Sequence, residues 1–152
     1  MSERITISVP GEPHAQGRPR ATVVGGFARV YDPQNSRQWK AVAQHHMRIA
    51  LGDRPPLAGP VAVSIVARFS CPKSEWRTKA PRPARRHTKR PDADNIAKAA
   101  LDSALGVLFC DDAQVCVLRI EKWIAAQGEA PGIEIDVMGI EDMPPTSGGR
   151  RG

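Results

Sequence analysis

Cysteine is scarce in this chain and poorly spaced for structural use. The three cysteines, Cys71, Cys110 and Cys116, are odd in number and form no CxxC pair. A disulfide framework or a zinc knuckle is therefore excluded as the organising device, and a reducing compartment is the expectation. No apolar run approaches the length of a membrane span, and residues 1–10 (MSERITISVP) lack a signal-peptide core. The chain reads as soluble and cytoplasmic. Acidic residues are nearly missing from one stretch, since from Arg68 to Arg90 nine Lys/Arg accompany a single acid, Glu75. No internal repeat is apparent.

The neighbouring segment has the opposite polarity. Residues 92–142 hold eleven Asp/Glu against three Lys/Arg, in a 152-residue chain of net charge +6. A basic stretch beside an acidic one suits a polyanion held next to a cation site, although two solvated surfaces would give the same composition. At this length a single domain with a substantial core is expected.

Periodicity supplies the elements. Ile5, Ile7 and Val9 alternate with Thr6 and Ser8, the period-2 pattern of a half-buried strand that Pro10-Gly11 ends. Residues 18–31 read as a hairpin about Gly25-Gly26, decorated by Arg18, Arg20 and Arg29. The turn at residues 32–36 leads to a helix over 36–51, with Trp39, Val42, Ala43, His46, Ile49 and Ala50 on one face and Gly52 as its stop. Residues 61–69 (VAVSIVARF) are the clearest strand. Residues 70–91 contain four prolines and no apolar periodicity, and read as a long basic loop, either mobile without a partner or a plain insertion. A second helix runs from Ala93 or Asp94 to about Leu105, with Ala97, Ala100, Leu101, Ala104, Leu105 and Leu108 as its apolar stripe. Strands follow at 114–124 and 132–140. The expectation is an α+β fold: one compact domain over 1–142, with a mixed or antiparallel sheet and two main helices, followed by a disordered tail at 143–152.

Chemistry concentrates around Arg90-Pro91-Asp92-Ala93-Asp94-Asn95 and Asp111-Asp112. Asp92 and Asp94 stand two residues apart at a helix start, where an Asp is commonly a cap. Asp94, Lys98 and Asp102 follow at i, i+4 and i+8 on one helix face, displaced from the apolar stripe. A chain reversal after the helix would bring Asp112 back toward Asp92 and Asp94. Converging carboxylates repel one another, and a hard divalent cation such as Mg²⁺ resolves that conflict. No His or Cys adjoins Asp92 or Asp94, and only Cys110 is near Asp112, so zinc is not suggested. Lys98 either neutralises charge developing on a phosphate or forms an ordinary i,i+4 pair with Asp94. Asn95 suits ligation, orientation of a carboxylate or capping, and Asp102 reads as a solvated face residue. Trp39 and Trp123 are expected in the core and His46 half-buried; His14 and His87 are weak candidates for phosphate contact. Trp76 would either stack on an exposed base or pack against the domain. The cysteines read as small apolar fillers.

The run from Arg90 to Leu105, followed by Asp111-Asp112-Ala113-Gln114-Val115, resembles the RusA family of crossover junction endodeoxyribonucleases. Its D-x-D-N-x-x-K helix start and D-D-x-Q/A-V turn occur here at the expected separation, and the likeness extends over roughly residues 4–140. The resemblance implies a RusA-like homodimer with Mg²⁺-dependent sites (Mn²⁺ a possible substitute) that resolves Holliday junctions by paired nicks in DNA recombination and repair. It implies Asp92, Asp94 and Asp112 as metal ligands, Lys98 as a catalytic-site lysine, and Asp111 as a weaker candidate. Phosphate contacts are expected from Arg18, Arg20, Arg82, Arg85, Arg86, Lys89 and Arg90. The stretch from Cys71 to Lys89 is longer than the family's compact form. Two other readings remain open: a non-catalytic DNA- or RNA-binding protein with a structural acidic cluster, and a nuclease for flaps or other branched DNA.

Overall fold

The computed structural model describes residues 3–15, 20–24, 27–31 and 34–141, without the side chains of 20–24, 27–31 and Gln34. Its elements are β1 (Arg4–Pro10), β2 (Arg20–Val24), β3 (Phe27–Tyr31), α1 (Gln34–Leu51), β4 (Val61–Phe69), β5 (Arg85–Arg86), α2 (Ala93–Ala104), β6 (Val115–Ile124) and β7 (Gly132–Gly139). Five strands form one mixed sheet in the order β1-β7-β4-β6-β5, while β2 and β3 pair as a separate antiparallel hairpin. The α+β class and the two main helices are as expected.

Period-2 alternation builds the core. Ile5, Ile7 and Val9 on β1, Val61, Val63, Ile65 and Ala67 on β4, and Ile133, Ile135 and Val137 on β7 are all buried. The register sets Ile7 beside Ile135, Ile135 beside Ile65, and Ile65 beside Ile120, so one isoleucine row crosses the sheet. On that face the strands meet Ala43, Met47 and Leu51 of α1 and Ile96, Ala97, Ala100 and Ala104 of α2. Alternate residues such as Thr6, Ser8 and Glu134 are exposed. Thr6 donates to Asp136 at 2.6 Å, and this bond, followed by the Arg4 contact, holds the Asp136 carboxyl below its ordinary range.

Both helix faces differ in detail from the sequence expectation. On α1 the buried positions are Ser36, Ala43, Met47 and Leu51, while Val42 and Ile49 are exposed. The stripe is rotated toward Met47, because residues at i and i+4 stack on the sheet-facing side. On α2, Ile96 is fully buried, and Leu105 is exposed because the helix stops at Ala104. β6 carries an irregularity near Cys116: Val61 pairs with Val115 but Ala62 with Val117, so Val115 joins the Leu118 side rather than the Val117 side. Cys71 is buried, whereas Cys110 and Cys116 are exposed and are not the fillers expected.

Parallel pairing decides where the site residues fall. β4 and β6 are adjacent and parallel, and such strands need a crossover that carries the chain back. α2 is that return leg. Its first turn therefore lies toward the C-terminal ends of β4 and β6, and its last turn toward their beginnings.

Candidate active site

Asp92 occupies the N-cap position of α2, with extended backbone (φ −71°, ψ 148°) and no side-chain cap bond. Its carbonyl accepts from the Asn95 and Ile96 amides, both at 3.2 Å. The cap function is thus met by backbone, and the carboxylates of Asp92 and Asp94 stay exposed, with no hydrogen bond or ion pair among the described residues. Asp94, in the first turn, is stabilised by the positive end of the helix dipole by about 0.3–1 kcal/mol. Lys98 is exposed one turn on and forms no ion pair with Asp94 among the described residues. Arg90, Pro91, Asp92 and Asn95 line an open depression of about 750 Å³. Asp102 is half-buried on the following turn rather than a fully solvated face residue.

Asp111 and Asp112, adjacent and chemically identical, stand in different surroundings. The Asp111 carboxylate accepts from the Ala113 amide at 2.9 Å and caps the 3₁₀ turn Asp112–Gln114. Gln114 completes the lock. Its Oε1 accepts from the Cys110 and Asp111 amides at 2.8 and 2.9 Å, and its Nε2 donates to the Leu57 and Gly59 carbonyls, both at 2.9 Å. Asp112 is left exposed at the rim of this locked turn, with no bond among the described residues. The glutamine of the D-D-x-Q-V turn was the available signal for this role.

The expected convergence of Asp112 on Asp92 and Asp94 does not occur within one chain. The turn after α2 is held at the helix end, where Val107 and Leu108 amides donate to Ala104 and the Gly106 amide donates to Phe109 at 2.8 Å. Asp112 follows three residues later, so α2, about 18 Å long at 1.5 Å per residue, stands between the two acidic sites. Among the described residues no three His, Cys, Asp or Glu side chains gather closely enough to hold a metal ion. Two hard carboxylates at the α2 start fit Mg²⁺ in donor chemistry. The remaining positions around such an ion would fall to water, phosphate oxygens or a further carboxylate.

The basic segment is tied down rather than free. It contains the 3₁₀ turn Lys73–Glu75, and β5 adds to the sheet edge at Trp123 and Ile124. Glu75, its single acid, pairs with both Arg82 and Arg85. Arg86 bonds Glu121 at 3.1 Å and lies over the Trp123 ring, 3.8 Å from its centroid. That hydrogen bond is the main reason the Glu121 carboxyl sits below its ordinary range. His87 stacks on Phe69, and its pKa is lowered by desolvation first and by Lys122 next. Three of the expected phosphate-contacting cations, Arg82, Arg85 and Arg86, therefore have intramolecular acidic partners. Lys89 and Arg90 are exposed and without ion pairs among the described residues. Lys73, Arg77 and Lys79 are also exposed and were not singled out from the sequence. Arg18 and the Arg20 side chain, the turns at Gly25-Gly26 and Asp32-Pro33, and the tail at 143–152 lie outside the described residues.

Residues 10–138, which contain both acidic motifs, match the family described as endodeoxyribonuclease RusA. The chain belongs to the RusA endodeoxyribonuclease family. It is also similar to the uncharacterized protein YqaN of Bacillus subtilis, at 33% identity over 138 residues that cover 86% of this chain and 93% of the relative. Family membership agrees with a DNA partner and nuclease chemistry. No helix among the described residues is long and apolar enough to cross a membrane.

Proposed function

We propose that the protein is a divalent-metal-dependent endonuclease that resolves four-way DNA junctions as a homodimer. The supporting observation is that the RusA match covers four reactive side chains, Asp92, Asp94, Lys98 and Asp112, which the fold leaves exposed and uncommitted among the described residues. Mg²⁺, or Mn²⁺ in its place, would be held by carboxylate oxygens and would supply a water nucleophile and charge neutralisation at the phosphate. Lys98 meets charge developing on the phosphate, while Lys89 and Arg90 hold the backbone on either side.

A second copy accounts for the distant Asp112. β5 covers the outer side of β6 only at Trp123 and Ile124, leaving Val115 to Glu121 unpaired there among the described residues. On this edge Val117 is 53% and Leu118 46% exposed. Antiparallel pairing of two such edges about a twofold axis would set the beginning of one β6 beside the end of the other. That arrangement carries Asp112 of the partner subunit toward the α2 start, where Asp92 and Asp94 are. Two symmetric sites follow, matching a substrate with two opposed strands.

The test is cleavage of a synthetic four-way junction in Mg²⁺ and in EDTA, with flap and linear duplex alongside. Junction nicking that needs the metal is expected. Asp94→Asn should bind the junction normally and cut it at least about a hundredfold more slowly, exceeding the loss typical of an outer-shell partner. Undiminished cutting by this variant removes Asp94 from the metal site. Junction binding with no metal-dependent nicking would leave a DNA-binding protein without nuclease activity.

A further inference from the structure

Trp76 has no part in the chemistry above, yet it is 46% exposed in the middle of the basic segment. An exposed indole on a loose loop would be unremarkable, but this one is anchored. Its Nε1–H donates to the Cys71 carbonyl at 3.1 Å, and Cys71 is itself buried. The 3₁₀ turn Lys73–Glu75 leads directly into it, and the Trp76 amide closes that turn on the Lys73 carbonyl at 3.2 Å. On its other side Gln127 brackets the chain. The Gln127 Oε1 accepts from the Arg77 and Arg82 amides at 2.8 and 3.2 Å, and its Nε2 donates to the Arg77 carbonyl at 2.9 Å.

The charge along the segment that carries the ring is one-sided. Lys73, Arg77 and Lys79 are exposed, and the segment's one acid, Glu75, is paired with Arg82 and Arg85. A protein partner recognised by such a patch would have to be strongly acidic, whereas a nucleic acid supplies both anion and aromatic face. Position favours the same occupant. Gln127 follows the end of β6, and Lys122 near that end donates to the Lys89 carbonyl at 2.6 Å, just before the α2 start. The anchored indole and the Asp92–Asp94 pair thus belong to one end of the sheet.

We propose that Trp76 is a stacking platform for an unpaired DNA base, with Lys73, Arg77 and Lys79 tracking the adjoining phosphates. The inference rests on the DNA-binding part of the reading above and identifies what distinguishes branched from linear DNA. Bases at a branch point can leave their stack, and stacking on an aromatic ring is tolerant of sequence because every base has a π face. The anchored ring lowers the ordering cost of that contact.

The experiment measures binding of the full chain in EDTA to a thymidine oligomer, a four-way junction and a linear duplex. Trp76→Ala should weaken oligomer and junction binding by between about fivefold and about a hundredfold. Duplex affinity should stay within about twofold, because phosphate contacts carry it. Trp76→Phe should recover most of the loss. Equal affinities in wild type and Trp76→Ala, or the same loss on all three DNAs, would overturn the proposal. A second readout does not depend on how the alanine variant folds: the oligomer should quench tryptophan emission in wild type, and that quenching should fall clearly in Trp76→Phe, where only Trp39 and Trp123 remain to report. Quenching as deep in Trp76→Phe as in wild type overturns the proposal too. Stacking without Mg²⁺-dependent nicking would sink the nuclease alone, and nicking without a Trp76 effect would sink the platform alone.

Discussion

A single glutamine shows how residue-level detail prepares the site. Gln114 joins two amides of the Asp112 turn to two carbonyls of the 57–59 segment, so one amide side chain holds two stretches of chain. Gln114→Ala leaves those groups to water or to nothing. A loss of about 1–3 kcal/mol in urea unfolding is expected, with cleavage falling further than junction binding. Full stability and full cleavage in that variant would show that the turn holds its shape without the lock. Asp94 marks the limit of reading at this scale. A helix cap and a metal ligand both want a carboxylate at a helix start, so sequence alone could not separate them. The backbone excludes the cap for Asp94, because the N-cap position falls to Asp92 and that side chain makes no cap bond.

At the scale of elements, the strands were legible wherever burial on one face imposed alternation, as in β1, β4 and β7. α1 was legible as a helix but not as to its face, because Met47 was left out of the stripe while Val42 and Ile49 were put in. β5 is two residues long and exists through pairing with β6, so no local pattern announces it. The direction of α2 was invisible for a similar reason: it depends on β4 and β6 being parallel, a fact of pairing between distant segments. That direction places Asp112 away from Asp94, and no spacing rule contains it. The open β6 edge carries the element-scale prediction. Val117→Lys puts a charge on a half-exposed edge position, a common device against strand pairing. Stability should change by no more than about 0.5 kcal/mol, while sedimentation should show a dimer for the wild type, as proposed, and a monomer for the variant. A variant that stays dimeric would move the interface elsewhere.

At the scale of the whole molecule, the helix between the acidic sites bears on the proposed metal site: on that reading neither chain would hold all three carboxylates at one ion. Mixing Asp94→Asn with Asp112→Asn, each inactive alone, should then restore nicking. One site of the mixed dimer keeps both wild-type carboxylates while the other loses both, so about half of the activity per mixed dimer is expected, on one strand of each junction. No recovery on mixing would require each chain to bring its own acids together. The same architecture has a consequence for how the protein tolerates change. Both stems of the segment between Arg77 and Arg82 are stapled to Gln127, so its ends meet whatever lies between them. Lengthening such a closed stretch adds little entropic penalty, and the sheet behind it bears no load from its contents. If that face meets DNA as proposed, the stretch would serve as a graftable cassette, open to rewriting without disturbing either the core or the carboxylates.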